Sequence, residues 1–260
     1  MAPSLIAILL AVGQAVQTPP PTGSSRPWAI VDNSFLVEEA FNQDPKVVQN
    51  IFNWTKTQDS WQFTFTQEWP VPGVRHQLSY TFLVTSIGST QALGDTLVNY
   101  RLQVLEEGPG RPAFAPRVSA IVPSGSRSVG AHQGGLQVNL PFSKQDKDFY
   151  FHWNAGFTWV PRESRDDLLS PSLAGSVIYR VADMVNVMLE AVFVENDSDQ
   201  PDGTTRLTRS VIVSPGIRGG WNLKGDKQIV IGAAIPITWV EGTTEAGVFA
   251  YFSYELPFKK

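Results

Sequence analysis

Cysteine is absent from the 260 residues, which excludes a disulfide framework and thiolate metal sites. Basic residues are outnumbered, with Lys plus Arg at 20 against Asp plus Glu at 24 and a formal net charge of -4. No Lys/Arg run forms a stripe that phosphates would follow, so no nucleic-acid partner is expected. An apolar fraction of 42% with a mean hydropathy of -0.09 is too low for a helical membrane bundle. No segment recurs at a fixed period, which removes propellers and solenoids.

What the chain does have is alternation. In FYFHWNAGFTWVP, Phe149, Phe151, Trp153, Ala155, Phe157 and Trp159 take one face of an extended strand, and Tyr150, His152, Asn154, Gly156 and Thr158 take the other. The run is longer than a typical sandwich strand and matches a tilted bilayer crossing. A greasy face toward lipid and a polar face toward a lumen would produce it, and hydropathy would then average away. From Val47 onward twelve such runs occur, at 47–55, 60–69, 75–83, 95–105, 114–123, 135–144, 149–160, 172–180, 185–195, 206–223, 227–239 and 247–258. Long loops are expected at 84–94, 124–134, 162–171, 196–205 and 240–246, and short turns at 71–74, 145–148, 181–184 and 224–226, as in outer-membrane barrels, with two exceptions: 56–59 is short and 106–113 is long. Trp54, Trp61, Trp159 and Trp239 fall toward one rim, Trp69 and Trp221 toward the other. The expectation is an all-β fold, a transmembrane antiparallel up-and-down barrel over 47–258 in the bacterial outer membrane. A soluble β-sandwich is the competing reading.

Ahead of the barrel, Leu5 to Ala15 is an apolar run of export-signal length, although no basic residue precedes Leu5. Residues 1–15 read as a signal peptide and 16–32 as a Pro/Ser/Gly linker. DNSFLVEEAFNQ predicts a short helix within 33–46, capped by Asp32 or Asn33, with Leu36, Val37, Ala40 and Phe41 on one face and an end at Asp44 and Pro45. Leu36, Val37 and Phe41 need cover that the lumen offers, and Glu38 and Glu39 can reach lumen arginines. The segment is therefore expected to be a plug or constriction.

The runs NSFLVEEAFNQDPKVVQNIF and SWQFTFTQEWPVPGVRHQLSYTFLV, with GDTLVNYRLQVL, PRVSAIVPSG, LQVNLPFSKQ and YFSYELPF later, resemble the MetA-pathway of phenol degradation family over most of residues 33–258. That resemblance implies a Gram-negative outer-membrane barrel that admits small hydrophobic or aromatic compounds, and it brings no catalytic or binding motif. Such barrels end on an aromatic residue read by the barrel assembly machinery, whereas here Phe258 is followed by Lys259 and Lys260.

Period two assigns Arg101, Arg117, His152, Asn154, Arg180, Glu190, Arg218, Tyr251 and Glu255 to the lumen. Arginines outnumber acids there. The excess fits a pore favouring anions, and fits equally arginines that pair with Glu190 and Glu255 to fill a narrow barrel. His152 with Asn154 is the only pair suggesting acyl transfer, and no serine nearby in the sequence completes a triad, although Ser119, Ser176 or Ser210 could come near in space. The loop ENDSDQPDG departs from EF-hand spacing and reads as a hydrated outer loop near lipopolysaccharide. No metal and no cofactor is expected. The favoured function is passive passage or binding of a small solute without covalent chemistry; a lipid-acting hydrolase or acyltransferase and a structural barrel with a filled lumen are the alternatives. By the same face assignment Ile231 meets lipid and Gly232 the lumen, so a serine at Gly232 is expected to cost little.

Overall fold

The computed structural model describes residue 30 and residues 34–126, 133–162, 166–199, 204–224 and 227–258. The signal-peptide segment, the linker apart from Ile30, and Lys259 and Lys260 lie outside these residues. Sixteen strand segments occur in chain order: β1 (Val47–Lys56), β2 (Ser60–Trp69), β3 (His76–Ile87), β4 (Thr90–Leu93), β5 (Thr96–Leu102), β6 (Ala113–Phe114), β7 (Arg117–Val122), β8 (Gly135–Asp146), β9 (Phe149–Val160), β10 (Leu168–Ala182), β11 (Val185–Asp199), β12 (Thr205–Leu223), β13 (Lys227–Ala234), β14 (Ile237–Val240), β15 (Thr243–Ala246) and β16 (Val248–Pro257). β4 with β5, β6 with β7, β13 with β14, and β15 with β16 are single staves with a short interruption. Twelve antiparallel staves result, each beside its sequence neighbours, and β1 paired with β16 closes the barrel. Closure leaves no sheet edge, which is what a bilayer requires of a spanning sheet.

The alternation becomes two surfaces. On β5, Leu97, Asn99 and Arg101 are buried inside, while Val98 and Tyr100 are exposed outside. The outward belt includes Phe82, Trp153, Leu173, Leu189, Ile217 and Ile231, all exposed, as expected of side chains that meet lipid. Among the described residues no helix is long and apolar enough to cross a membrane.

Two sequence expectations change. Several outer loops are extended strand instead: β3 runs to Ile87 and returns as β4 through Gly88, at φ 58°, and β14 turns into β15 through Glu241 and Gly242, both at positive φ (48° and 81°). That two-residue turn has the handedness that matches strand twist, so the polar residues around it join the ladder instead of looping out. The second change is larger. Residues 34–46 contain no helix; they run as bends and irregular chain into β1. Backbone N–H groups that a helix would satisfy internally are taken by barrel side chains, as described next.

Candidate functional site in the lumen

Both chain ends of the barrel lie at one end, and from there residues 34–43 enter the lumen. Near that mouth Asn42 Nδ2 donates to the Val74 carbonyl at 3.1 Å, and the Gln43 N–H donates to Gln77 Oε1 at 2.7 Å. Deeper, the Ala40 N–H donates to Ser143 Oγ at 2.8 Å, while Gln103 Nε2 donates to the Ala40 carbonyl at 2.8 Å. Asn154 clasps the peptide at Glu38 from both sides, accepting from its N–H at 2.7 Å and donating to its carbonyl at 2.8 Å. Glu190 Oε1 accepts from the Leu36 and Val37 N–H groups at 2.7 and 3.1 Å. Buried backbone needs partners, and here the wall supplies them. This is why an amphipathic helical pattern does not become a helix.

Charge is concentrated at Glu38. Its carboxylate accepts from Arg101 Nη2 and Asn139 Nδ2 and lies 3.0 Å from Arg117 Nε, with both arginines almost fully buried. Arg101 also donates from Nη1 to the Phe41 carbonyl at 2.8 Å. Arg117 reaches Asn99 at 3.1 Å and Gln137 at 2.9 Å. Two guanidinium groups on one carboxylate fix the segment in register, since each unpaired charge would be costly this far from bulk water.

The apolar side chains of the segment divide between walls. Val37 is buried with Val192, Val194 and Ile212, with Leu36 half-buried beside them. Phe41 meets Tyr150 at a ring separation of 6.0 Å. Phe35 stands 5.2 Å from both Phe249 and Tyr251, and a methyl built on Gly232 would lie 2.2 Å from the Phe35 ring. Gly232 is thus part of a seat, and the expectation that serine costs little there is corrected: a side chain at 232 collides with Phe35. Apolar positions 36, 37, 40 and 41 mimic a helical stripe because they serve different walls.

The remaining candidates are spread over the lumen. Arg180 lies toward the termini end and is clasped by Asp148 of the β8–β9 turn, at 2.6 Å. Arg218 is buried, and the Asn186 amide oxygen faces its Nε at 3.2 Å in the orientation that satisfies both groups. Tyr251 is buried, and Glu255 is half-buried near the termini end. Glu39 is buried with its carboxylate 3.8 Å from His152 Nε2, beyond hydrogen-bond range.

Ser143 is the partner that sequence adjacency did not supply for His152. Its Oγ is 2.7 Å from His152 Nδ1, so serine, histidine and Glu39 form a row. The row is sealed: all three side chains are buried, and Ser143 Oγ already accepts the Ala40 N–H. A hydroxyl held in this way has no approach for an ester. The signal was available, because the two-residue β8–β9 turn sets Ser143 opposite His152.

Outside the membrane-spanning strands, Asp167 anchors the β9–β10 connection. It accepts from the Arg162 N–H at 3.0 Å and from Trp159 Nε1 at 2.9 Å, and these bonds hold its carboxyl below the usual carboxylate range.

Among solved structures, the fold is similar to an outer membrane channel from Pseudomonas putida F1, with 12% identity, 84% of this chain and 98% of that chain covered, and a TM-score of 0.62. It is also similar to the NanC porin, at 9% identity over 80% of this chain and 100% of that one with a TM-score of 0.49, and to OmpT, an outer membrane protein of Vibrio cholerae, at 8% identity over 81% and 98% with a TM-score of 0.38. No curated protein matches. The family model described as Putative MetA-pathway of phenol degradation matches residues 30–251. With a closed twelve-stave barrel and that match over most of its length, the chain belongs to the MetA-pathway of phenol degradation family of outer-membrane barrels.

Proposed function

We propose that this protein is an outer-membrane channel for a small solute whose lumen is closed by residues 34–43. One observation carries the reading: residues 34–43 lie inside the lumen with their backbone hydrogen-bonded by side chains of β3, β5, β8, β9 and β11. Such contacts are reversible, since water can replace each of them once the strip leaves. The family description and the channel named among the similar folds support passage of small aromatic or hydrophobic molecules. In this reading residues 1–15 direct export, the linker is a tether only ahead of Ile30, both barrel termini face the periplasm, and Phe258 is the residue the assembly machinery engages. Ile30 is buried in the lumen cluster with Phe35 and against Gly220, which corrects the expectation of a linker through 32. The opposite end, with the Arg206–Glu241 and Arg209–Glu195 pairs, meets lipopolysaccharide. The protein acts without covalent chemistry in this reading, because the Ser143 hydroxyl beside His152 is already engaged by the Ala40 N–H of the segment.

Deleting residues 28–44 behind an intact export signal leaves a heat-resistant barrel and raises single-channel conductance in planar bilayers. A folded deletion variant with the conductance of the full chain contradicts the reading.

A further inference from the structure

The seat of Phe35 is more specific than a plug needs. Anchorage is already provided at Glu38 by two arginines and at Leu36 and Val37 by Glu190. Yet the wall beside Phe35 is hollowed for a ring. Gly216 on β12 and Gly232 on β13 lack the side chains that would occupy the space: a methyl on either would approach the ring to 2.9 or 2.2 Å. Phe249 and Tyr251 on β16 stand over it at 5.2 Å, tilted by 34° and 33°, within the range of favourable aromatic contacts. Ala234 belongs to the same buried cluster, and Met188 completes the side next to Gly216. Glycine in a strand interior weakens the strand unless something approaches closely, and here two glycines on neighbouring staves serve one ring.

The geometry points to a solute site: the Gly216, Gly232, Phe249 and Tyr251 socket binds a single-ring planar aromatic molecule, and Phe35 occupies it as a tethered stand-in while the channel is closed. This rests on the reading of residues 34–43 as a plug and adds the chemistry of what displaces it. A flat slot between glycine backbone and two tilted rings fits a benzene ring. A puckered saturated ring of the same carbon count is thicker and has no π face for Phe249 and Tyr251. A solute that binds only when Phe35 has left shifts the segment toward the undocked state, by an amount set by that differential affinity.

The natural absence of cysteine provides a clean test. In the full-length protein, Ser34→Cys places a thiol at a buried position next to the ring, and Val37→Cys provides a second reporter on its other side. Each is reacted with a membrane-impermeant thiol reagent while phenol or cyclohexanol is titrated. At a phenol concentration about ten times its dissociation constant, the undocked population and the labelling rate rise about tenfold, saturably. Cyclohexanol has no comparable effect, and Phe35→Ala labels fast without solute. Gly232→Ala, which fills the socket, also labels fast and loses its response to phenol. The inference is overturned if phenol leaves labelling unchanged in both reporters, if cyclohexanol accelerates it equally, or if Phe35→Ala does not speed it. Because conductance of the deletion variant is a separate measurement, the plug can stand while the ring site falls.

Discussion

Glu38 is the residue on which the inserted segment depends most, because its carboxylate is shared by Arg101 and Arg117 with little water near any of the three. Glu38→Ala leaves two buried cations without their counter-charge and is expected to lower stability by about 3 kcal/mol, read from denaturant midpoints in detergent. Glu38→Gln retains the shape and one acceptor and should lose less. A different residue effect belongs to Gly232: Gly232→Ser should cost about 1 to 3 kcal/mol by overpacking against Phe35. In a Phe35→Ala background the same serine should be nearly neutral, so the double-mutant cycle has a large coupling term. An equal cost in both backgrounds would place the ring elsewhere. Period two made Arg101, Arg117, Asn154 and Glu190 legible as lumen residues. The socket was not legible, since Gly216 and Gly232 read as ordinary small residues until β12, β13 and β16 are side by side.

At the scale of elements, the strands were readable because each residue has only two faces to choose between, and the belt of exposed apolar side chains follows directly. Ile231, near the middle of β13 and exposed to lipid, tests this: Ile231→Arg should cost about 2 to 4 kcal/mol in a lipid-refolding titration. A negligible cost would mean that this face of β13 is outside the bilayer. The helix that the sequence predicts within 33–46 does not form over 34–46 for the complementary reason. Its surroundings on every side are barrel wall, so spacing of 3 and 4 carries no helical meaning there, and only the partners of its N–H groups decide its form. The connection held by Asp167 adds a pH dependence. Its carboxyl is depressed by bonds that only the ionised form accepts fully, so the anchoring contribution is present above the usual carboxylate pKa and disappears as pH falls through the lowered value. The protection factor at Arg162 N–H, measured against the intrinsic exchange rate at each pH, should therefore fall under acid conditions, and in Asp167→Ala it should be low at every pH.

For the whole molecule, closure of twelve staves around a wall-bonded strip explains why a chain of modest hydropathy is built for a membrane and why its lumen charges are mostly paired. Arginine excess in the sequence suggested an anion-favouring pore or a filled barrel with equal force. In the structure Arg101 and Arg117 pair with Glu38, and Arg180 pairs with Asp148. Removing the strip would return Arg101 and Arg117 to the lumen, so the 28–44 deletion channel should favour anions, and Arg101→Gln with Arg117→Gln in that channel should shift its reversal potential under a salt gradient toward cation preference. The most direct measurement joins position to closure. Ser34 of the segment and Ser176 of β10 are in hydrogen-bond contact inside the barrel, and both can be replaced by cysteine in a chain that has no other. With Ser34→Cys and Ser176→Cys together, oxidation should link the segment to β10 and hold single-channel conductance at its closed level, and reduction should restore the openings of the reduced protein. A link that forms while conductance stays at the level of the 28–44 deletion would contradict the account, as would failure of the two cysteines to link in a folded barrel.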